Sequence, residues 1–292
     1  MYVVIDCMYL VYRGAYAMKN TQLQFNEIRT EIPFNFLDQI FTIMEDIGSN
    51  RLIFCWDSSD LYRKEIYSGY KDKEERQKDP RQKKIGELAR TQAPLIRDKI
   101  LPMMGFRNVF LERGLESDDL IAHIVNKFRG RDESITIVSS DDDLLQLVRD
   151  DSPTVVIYNP ITKKFKTETS FTEEWRITPK DWARVKAIAG CKSDCVPGVP
   201  GVAEATAVKY LLGELKTNSK KYKSIQEHED IIKRNKGLVE LPFKSPPPEL
   251  LISADEITLP KLMDTFGKYG FRSFLGQVKL NRIQDLLILP NG

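Results

Sequence analysis

Two clusters of acidic residues, separated by one short apolar segment, constrain this chain more than any other feature of its sequence. The first is Glu116-Ser117-Asp118-Asp119, and the second is Ser139-Ser140-Asp141-Asp142-Asp143. Two like charges ~4 Å apart repel each other by about 4 kcal/mol at an effective dielectric constant near 20. Carboxylates at this density are therefore either fully solvated or neutralised by bound cations.

The apolar segments next to the two clusters argue against full solvation. Residues 121–125 have the spacing of an amphipathic helix, and residues 135–138 have the composition of a buried strand. Carboxylates at a helix start and just past a strand end converge at the carboxyl edge of an α/β sheet, where such folds place their sites. The pattern therefore predicts a divalent-metal site.

Two further aspartates fit the same arrangement. Asp6 ends an apolar strand over residues 2–6, and Asp57 ends another over residues 51–57. Each alone is an ordinary residue for a strand end, but together with the two clusters they bring many acids to one sheet edge. Hard oxygen ligands select Mg²⁺ or Mn²⁺, and this number of carboxylates suits two ions.

The order of strands and helices predicts the fold class. Strands alternate with helices through residue 158, which is typical of an α/β fold with a mostly parallel sheet flanked by helices. Near Thr178 the pattern becomes helical. We predict a catalytic domain over residues 1–177 and a helical region over residues 178–292. A helix-hairpin-helix is expected at about 183–213, followed by a C-terminal extension that packs back.

The charge distribution suggests the kind of substrate. Net charge is only +2, but from Arg63 to Lys99 twelve Lys or Arg residues face seven acids. An acidic pocket with a basic rim suggests a polyanionic substrate handled through metal ions. The part of this segment over residues 62–84 is poor in apolar residues and is not expected to pack as core. Its interleaved aromatic and basic residues suit either a solvated helix or single-stranded nucleic acid.

Other classes of protein find little support in the sequence. No apolar run reaches ~18 residues, so we expect no membrane span. Four cysteines in a chain of this length suggest a reduced, intracellular protein. No Ser-His or Cys-His pairing stands out as a rival nucleophile.

A glycine-containing turn, Gly198-Val199-Pro200-Gly201-Val202, lies between two helical patterns. Its glycines would let the backbone approach a phosphate closely, with the N–H groups of the following helix start pointing at it. Such a turn is often an ordinary loop, but the amphipathic segment 205–212 after it favours a helix-hairpin-helix.

These motifs, in this order over about residues 2–215, resemble those of the 5′ nucleases. That family includes phage-encoded flap endonucleases and exonucleases and the 5′-nuclease domain of bacterial DNA polymerase I. The resemblance rests on the following motifs: Asp6 with Arg13, Asp57, Tyr70-Lys71, Glu116-Ser117-Asp118-Asp119, Asp141-Asp142-Asp143 and the segment 190–201.

The resemblance implies a PIN-like domain, a helical arch formed by segment 60–100, and a helix-three-turn-helix module. It implies metal-dependent hydrolysis of DNA at 5′ flaps, branches or free 5′ ends in replication or repair. A monomer in the cytoplasm of a bacterium or a phage-infected host is the expected setting.

The resemblance also implies roles for individual residues. Asp6, Asp57, Glu116 and Asp118 would surround the first metal, and Asp119, Asp141, Asp143 and Asp194 would serve the second. Lys71 would contact the scissile phosphate, Tyr70 would stack on the nucleotide, and Arg76 or Lys73 would complete the gateway. Gly198, Val199, Gly201 and Val202 would hold a phosphate of the duplex, often with K⁺ in this family.

The chain departs from the family pattern at three places. The family usually has Gly-Asp-x-x-Asp-Asn where this chain has Gly190-Cys191-Lys192-Ser193-Asp194-Cys195. Because thiolate is a soft ligand, we expect a weakened second metal site that could prefer Mn²⁺. The hairpin has Ala203 where the family usually has glycine, and it has Glu204-Ala205 where the family commonly has Lys or Arg. The spacing from Tyr70-Lys71 to Arg76 is also longer than usual.

Three alternatives remain open from the sequence. Cys191 could have disabled catalysis, which would leave a protein that only binds branched DNA. A PIN-type ribonuclease is a second alternative, although small members of that group lack the hairpin module. A phosphatase-like enzyme with one Mg²⁺ is the third, but it lacks an evident phospho-acceptor motif.

Overall fold

The computed structural model describes residues 1–72, 79–245 and 247–289. Its strands are β1 (Tyr2–Asp6), β2 (Gln24–Phe25), β3 (Ile28–Arg29), β4 (Leu52–Trp56), β5 (Val109–Leu111), β6 (Ser134–Val138), β7 (Thr154–Asn159), β8 (Lys164–Lys166), β9 (Gly190–Cys191) and β10 (Val196–Pro197). The helices before the second acidic cluster are α1 (Cys7–Ala17), α2 (Glu31–Ile47), α3 (Arg63–Ile66), α4 (Pro80–Leu95), α5 (Leu101–Met104) and α6 (Ser117–Lys127).

The later helices are α7 (Glu168–Trp175), α8 (Trp182–Ala189), α9 (Glu204–Leu211), α10 (Lys220–Glu227), α11 (Glu229–Val239), α12 (Leu259–Lys268) and α13 (Gln277–Leu287). A π-helical turn, Ile96–Ile100, joins α4 to α5. Three 3-10 turns cover Asp142–Leu147, Pro179–Asp181 and Arg272–Leu275.

Six strands form one central sheet in the spatial order β5-β4-β1-β6-β7-β8. The first five of these run parallel, and β8 pairs antiparallel with β7. The predicted α/β fold with a mostly parallel sheet flanked by helices is therefore confirmed. In such a sheet all five parallel strands end at the same edge, which is where the loops with the acidic residues begin.

Alternation along the central strands divides the core into two layers. Val3, Ile5 and Phe54 face one layer, which also contains α1, α2 and α4. Val4 and Ile53 face the opposite layer, which contains α6 and α8. Because both faces of the sheet are covered, the strands consist almost entirely of apolar residues, as buried parallel strands do.

The C-terminal helices pack on the layer that contains α2. Phe266 of α12, Phe274 of the last 3-10 turn and Ile283 of α13 are all buried in that layer. The Asn50 side chain donates to the Leu287 carbonyl at 3.0 Å, which ties the end of α13 to the loop before β4. The domain limits 1–177 and 178–292 stay a prediction.

The basic segment differs from its prediction. Over residues 62–84 no core packing was expected, yet Arg63 is only 2% exposed and Tyr70 only 3%. Part of this segment is helical, since α4 begins at Pro80 with Asp79 as its N-cap. Arg63 and Tyr70 are buried because of tertiary contacts, which are described below. Neither the composition of the segment nor its secondary-structure propensity indicates such contacts. No helix of the described residues is long and apolar enough to cross a membrane.

Candidate metal centre and nucleic-acid interface

Serine side chains and one amide bring the acids of three segments together at the carboxyl edge of the sheet. Ser117, the first residue of α6, donates from its hydroxyl to Asp6 at 3.2 Å and from its backbone N–H to Asp57 at 2.8 Å. Ser139, directly after β6, donates to the other Asp6 oxygen at 2.9 Å. The ends of β1, β4 and β6 and the start of α6 therefore meet at one point.

The carboxylates at this point destabilise one another. Burial raises the pKa of Asp6 to about 7, and the charges of Asp57 and Asp141 add to this effect. Burial also raises the pKa of Asp118 well above its usual range, with further contributions from Asp141 and Asp6. Burial and the neighbouring acids disfavour the charged forms by more than Lys71 offsets for Asp118, so a further cation would stabilise these forms. The residues therefore fit a divalent metal ion.

A pH-dependent stability follows for the protein without metal. An acid whose pKa rises from 3.8 to about 7 on folding keeps a proton that the unfolded chain releases between these values. The free energy of unfolding should therefore fall as the pH rises from about 4 to about 7, by an amount on the order of a few kcal/mol. The raised pKa of Asp143, about 6, acts in the same direction.

Denaturant titrations in a chelating buffer across this pH range would measure the effect. Asp6→Asn should flatten the pH dependence, because the amide does not titrate. Added Mg²⁺ should also flatten it in the unmodified protein, because the ion replaces the proton. A free energy of unfolding that rises with pH over this range would contradict the prediction.

Glu116 lies beside these acids but is neutralised by the protein itself. Its side chain accepts from the Tyr70 hydroxyl at 2.7 Å, from Arg63 at 3.1 Å and from the Lys71 ammonium. Burial alone would raise the pKa of Glu116, but the charges of Lys71 and Arg63 lower it to about 2. Its role as a metal ligand stays a prediction, whereas its contact with Lys71 is a feature of the structure.

Tyr70 is not placed for the predicted stacking. Its ring is 3% exposed, and its hydroxyl points to Glu116 rather than into solvent. Lys71 follows with a left-handed backbone, φ +47°, which turns its side chain towards the acids. The expectation that Tyr70 stacks on a nucleotide therefore does not fit this structure, and a role in orienting Glu116 fits better.

Donors of the protein itself surround Asp119. Arg63 donates to both of its oxygens, one of these bonds being 2.8 Å long. The backbone N–H groups of Glu116 and Phe243 donate to the same two oxygens at 3.1 and 2.7 Å. Since all four bonds come from the protein and Asp119 is 0% exposed, its oxygens are occupied within the protein. Its service to the second metal, directly or through water, stays a prediction.

A second group of possible ligands lies next to the first. The donor atoms of Asp143, Cys191 and Asp194 all lie within 4.8 Å of one another. Burial and the charges of Asp143 and Asp194 raise the pKa of the Cys191 thiol to about 12. Lys186 lies 3.2 Å from Asp143 and donates to Glu204 at 3.1 Å. This lysine therefore connects the ligand group to the helix that follows the hairpin.

The hairpin between α8 and α9 depends on two glycines. A Cβ on Gly190 would lie 2.4 Å from the Gly198 nitrogen, and a Cβ on Gly198 would lie 2.1 Å from the Ala189 carbonyl oxygen. The two strands approach too closely for any side chain at either position. Gly201 has a φ of +75° with open space around its Cα, so here the backbone turn, not packing, requires glycine.

Two of the predicted phosphate contacts in the hairpin are corrected. The Val199 N–H donates to the Ile188 carbonyl at 2.8 Å, and the Val202 N–H donates to the Val199 carbonyl at 3.1 Å. Both valine side chains are buried. Neither amide is available to a phosphate, because each already has a backbone acceptor. Gly198 and exposed Gly201 stay predicted contacts.

Comparison with known proteins identifies the family. Residues 1–177 match the family model described as the 5′-3′ exonuclease, N-terminal resolvase-like domain. This chain belongs to the 5′-3′ exonuclease family. It is 29% identical over 224 residues to a 5′-3′ exonuclease of Aquifex aeolicus, which covers 76% of this chain and 70% of that protein. Identity to the Bacillus subtilis 5′-3′ exonuclease is 29% over 254 residues, covering 82% and 74% of the two chains.

A solved structure shows the same fold. The bacteriophage T5 D15 flap endonuclease, described as a pseudo-enzyme-product complex with DNA and metal ions, superposes with a TM-score of 0.65 at 18% identity. The superposition covers 99% of this chain and 98% of that one. The predicted family and its PIN-like fold are therefore confirmed. The family assignment favours a nuclease over a protein that only binds branched DNA.

The roles of three other predicted residues stay predictions. Arg13, on α1, donates to the Gln39 side chain at 2.9 Å and is half-buried, so its contact with DNA stays a prediction. Lys73 and Arg76 lie outside the described residues, so their predicted gateway roles also stay predictions.

Sequence reasoning missed residues that hold this 5′-3′ exonuclease centre in place. The sequence around Arg63 does not distinguish it, because it is one of many basic residues in its segment. Lys186 did give a signal: it is a charged residue on the apolar side of α8, where Trp182 and Val185 are buried. Ser117 and Ser139 lie inside the acidic clusters, but only the carboxylates of these clusters were interpreted as site residues.

Proposed function

We propose that this protein is a Mg²⁺-dependent 5′ nuclease that hydrolyses phosphodiester bonds near the junction of 5′-flapped or branched DNA. The observation that carries the proposal is the group Asp6, Asp57, Asp118 and Asp141 at one sheet edge, joined through Ser117 and Ser139. Burial and neighbouring acids raise the pKa of Asp6, Asp57 and Asp118. The flap endonuclease of similar fold, whose structure holds DNA and metal ions, supports the substrate.

The carboxylate oxygens of this group would hold the ion that is essential for cleavage. Oxygen-only donors suit Mg²⁺, which is bound through one or two carboxylates and keeps several waters. Bound divalent ions at such a site activate a water and stabilise the attacking and leaving oxygens at phosphorus. The bonds from Ser117 and Ser139 keep Asp6 oriented towards this position before the ion binds.

Lys71 is the residue that we assign to the scissile phosphate. Its ammonium contacts Glu116 and lies 3.5 Å from Asp194, at the boundary between the two groups of carboxylates. A cation there is placed to offset negative charge that develops on a phosphate bound between them. Tyr70 and Arg63 hold Glu116, which in turn holds Lys71, so both act as positioning residues.

The duplex would lie on the hairpin and on the lysines of α10. Ser224 of α10 donates to the Pro200 carbonyl at 3.3 Å, and Lys221 donates to Thr206 at 3.3 Å, so the helix lies beside the turn. Exposed lysines 216, 220 and 223 continue the basic surface. Contacts of this kind read the DNA backbone and its shape rather than base sequence.

Ala205→Lys should strengthen binding to duplex DNA. Ala205 is exposed in the first turn of α9, where a new ammonium would offset Glu204 and reach a phosphate. We expect about two- to fivefold tighter binding at low salt, with the slope of log affinity against log salt steeper by about one. Val278→Lys adds the same charge at an 85% exposed site on α13 and should leave the affinity unchanged. Equal effects of both variants would indicate non-specific attraction.

The experiment that tests the proposal is cleavage of a 5′-labelled flapped duplex with Mg²⁺, with Mn²⁺ and with a chelator. Release of the flap near the junction only in the presence of a metal is the expected result. Tight flap binding without product under either metal would overturn the proposal in favour of a DNA-binding protein. Preferred cleavage of an RNA flap in competition would instead favour a ribonuclease.

Three parts of the proposal go beyond the family assignment. We propose two metal ions rather than one because two groups of possible ligands lie next to each other. One of these groups contains a thiol. A K⁺ ion at the hairpin and a monomeric state are proposed on the family resemblance. Analytical ultracentrifugation with and without flap DNA would test the monomer.

A further inference from the structure

The second ligand group differs in chemistry from the first, because it contains sulfur. The Cys191 Sγ and the carboxylates of Asp143 and Asp194 have donor atoms within 4.8 Å of one another. Asp143 comes from the 3-10 turn after β6, and the other two come from the β9–β10 hairpin. The hairpin is held rigidly, since Gly190 and Gly198 leave no space for a shift between its strands.

One oxygen in this group is poorly satisfied. Asp143 is 7% exposed, and its Oδ1 has no hydrogen-bond partner of suitable geometry within the described residues. The Lys186 ammonium lies 3.2 Å away and acts to lower the pKa of Asp143, so one neighbour partly compensates the charge. A buried carboxylate oxygen with one charged neighbour keeps a lone pair for a further ligand.

The charges around the second group disfavour a hard ion. Lys186 lies beside Asp143, and the Lys71 ammonium lies 3.5 Å from Asp194. These two ammonium groups, which also pair with Glu204 and Glu116, thus already offset part of the charge of the two carboxylates, and the neutral thiol adds no charge. Mg²⁺, which binds through electrostatic attraction to oxygen, gains little there. Thiolate donors add the partly covalent bonding that thiophilic ions favour.

We infer that Asp143, Cys191 and Asp194 form a thiolate-containing site for a thiophilic divalent ion of the Zn²⁺, Co²⁺ or Cd²⁺ class, which excludes Mg²⁺. The inference rests on the proposed function, in that this nuclease would then have two metal positions of different selectivity. Binding forms a metal–sulfur bond and releases the thiol proton to solvent. One Cys and two carboxylates leave a fourth position of a tetrahedral ion open for water or a phosphate oxygen.

Co²⁺ is the probe that tests this inference without relying on activity. Titration of the full chain with Co²⁺ should produce a thiolate-to-cobalt charge-transfer band in the near ultraviolet, saturating at one ion for each chain. Excess Mg²⁺ should not remove the band, whereas Zn²⁺ should. Cys191→Asp should abolish the band and weaken Co²⁺ binding at least ~10-fold, since even changes beyond the direct ligands cost 10–100-fold.

Cys195→Ser is the matched control, because it removes a thiol only four residues away and should keep the band. Cys7 and Cys55 are fully buried in the core and stay present in every variant. No band in the unmodified protein, or a band that persists in Cys191→Asp, would overturn the inference. Circular dichroism would show that the variant is folded.

Flap cleavage with Mg²⁺ on the same preparations separates the two proposals. A cobalt band without any metal-dependent cleavage would overturn the proposed function and leave the site standing. Cleavage with Mg²⁺ but no band would overturn the site alone. In Cys191→Asp we expect Mg²⁺ to support cleavage at about tenfold lower concentration, because an oxygen donor replaces sulfur at the second position.

Discussion

Asp118→Ala should abolish metal-dependent cleavage while leaving flap binding nearly intact. The side chain belongs to the group of carboxylates whose repulsion only a cation relieves, and its loss removes a ligand and one negative charge. We expect a rate at least ~1,000-fold lower, which corresponds to about 4 kcal/mol in the activation free energy. Single-turnover cleavage and the Kd for a flapped duplex in a chelating buffer would measure the two effects separately.

The same substitution should make the metal-free protein more stable. Burial and the charges of Asp141 and Asp6 raise the pKa of Asp118 well above its usual range, so removing its carboxylate relieves repulsion. Mg²⁺ should raise the melting temperature of the unmodified protein and raise that of the variant much less. Glu112→Ala, which removes an exposed acid in the loop before α6, is the control and should change neither property. Loss of flap binding together with cleavage would indicate that Asp118 is structural.

Arg63→Ala should cause the largest loss of stability of any substitution near the centre. Arg63 is 2% exposed and donates to Asp119, to Glu116 and, at 2.7 Å, to the Leu238 carbonyl. Without it Asp119 remains charged in a site that is 0% exposed. Breaking a buried pair by removing one partner costs about 3–5 kcal/mol. Equilibrium denaturation with urea would measure the change in the free energy of unfolding.

Two controls separate the buried pair from a general loss of charge. Arg113→Ala removes an arginine whose side chain is 83% exposed and should change the free energy of unfolding by less than about 0.5 kcal/mol. Asp119→Ala should destabilise as Arg63→Ala does, and the double variant should cost less than the sum of the two. Strictly additive losses would show that the two side chains do not depend on each other. Arg63→Lys should not restore stability, because lysine lacks the planar pair of donors.

Arg63→Ala should also lower the rate of cleavage. Arg63 and Tyr70 hold Glu116, and Glu116 holds Lys71 at the boundary between the ligand groups. A lysine without that anchor would no longer be oriented towards the phosphate.

Much of the fold follows from local patterns. The strands expected over residues 2–6, 51–57 and 135–138 are present as β1, β4 and β6 with ends within one residue. Their runs of apolar residues reflect burial on both faces of a parallel sheet, which is a local property of each segment. The short hairpin β2–β3 and the antiparallel edge strand β8 were missed, because exposed strands of two or three residues carry little periodic signal.

The roles of individual acids followed less well from the sequence. Asp118 and Asp119 are neighbours with the same side chain, yet one faces the acidic group and the other is enclosed by Arg63. A helix turns by about 100° between consecutive residues, so adjacent side chains at its start face different surroundings. No pattern in the chain indicates which of the two meets an arginine 56 residues away.

By itself, the sequence determined the α/β class, the sheet edge that carries the site, the residues that end its strands and the family to which the chain belongs. These depend on segments of a few residues and on their order along the chain. Only the tertiary structure decided which acids are left for metal ions and which are neutralised by Arg63, Lys71 and Lys186. The physical reason is that a charge is balanced by its neighbours in space, and folding brings these neighbours together from distant parts of the chain.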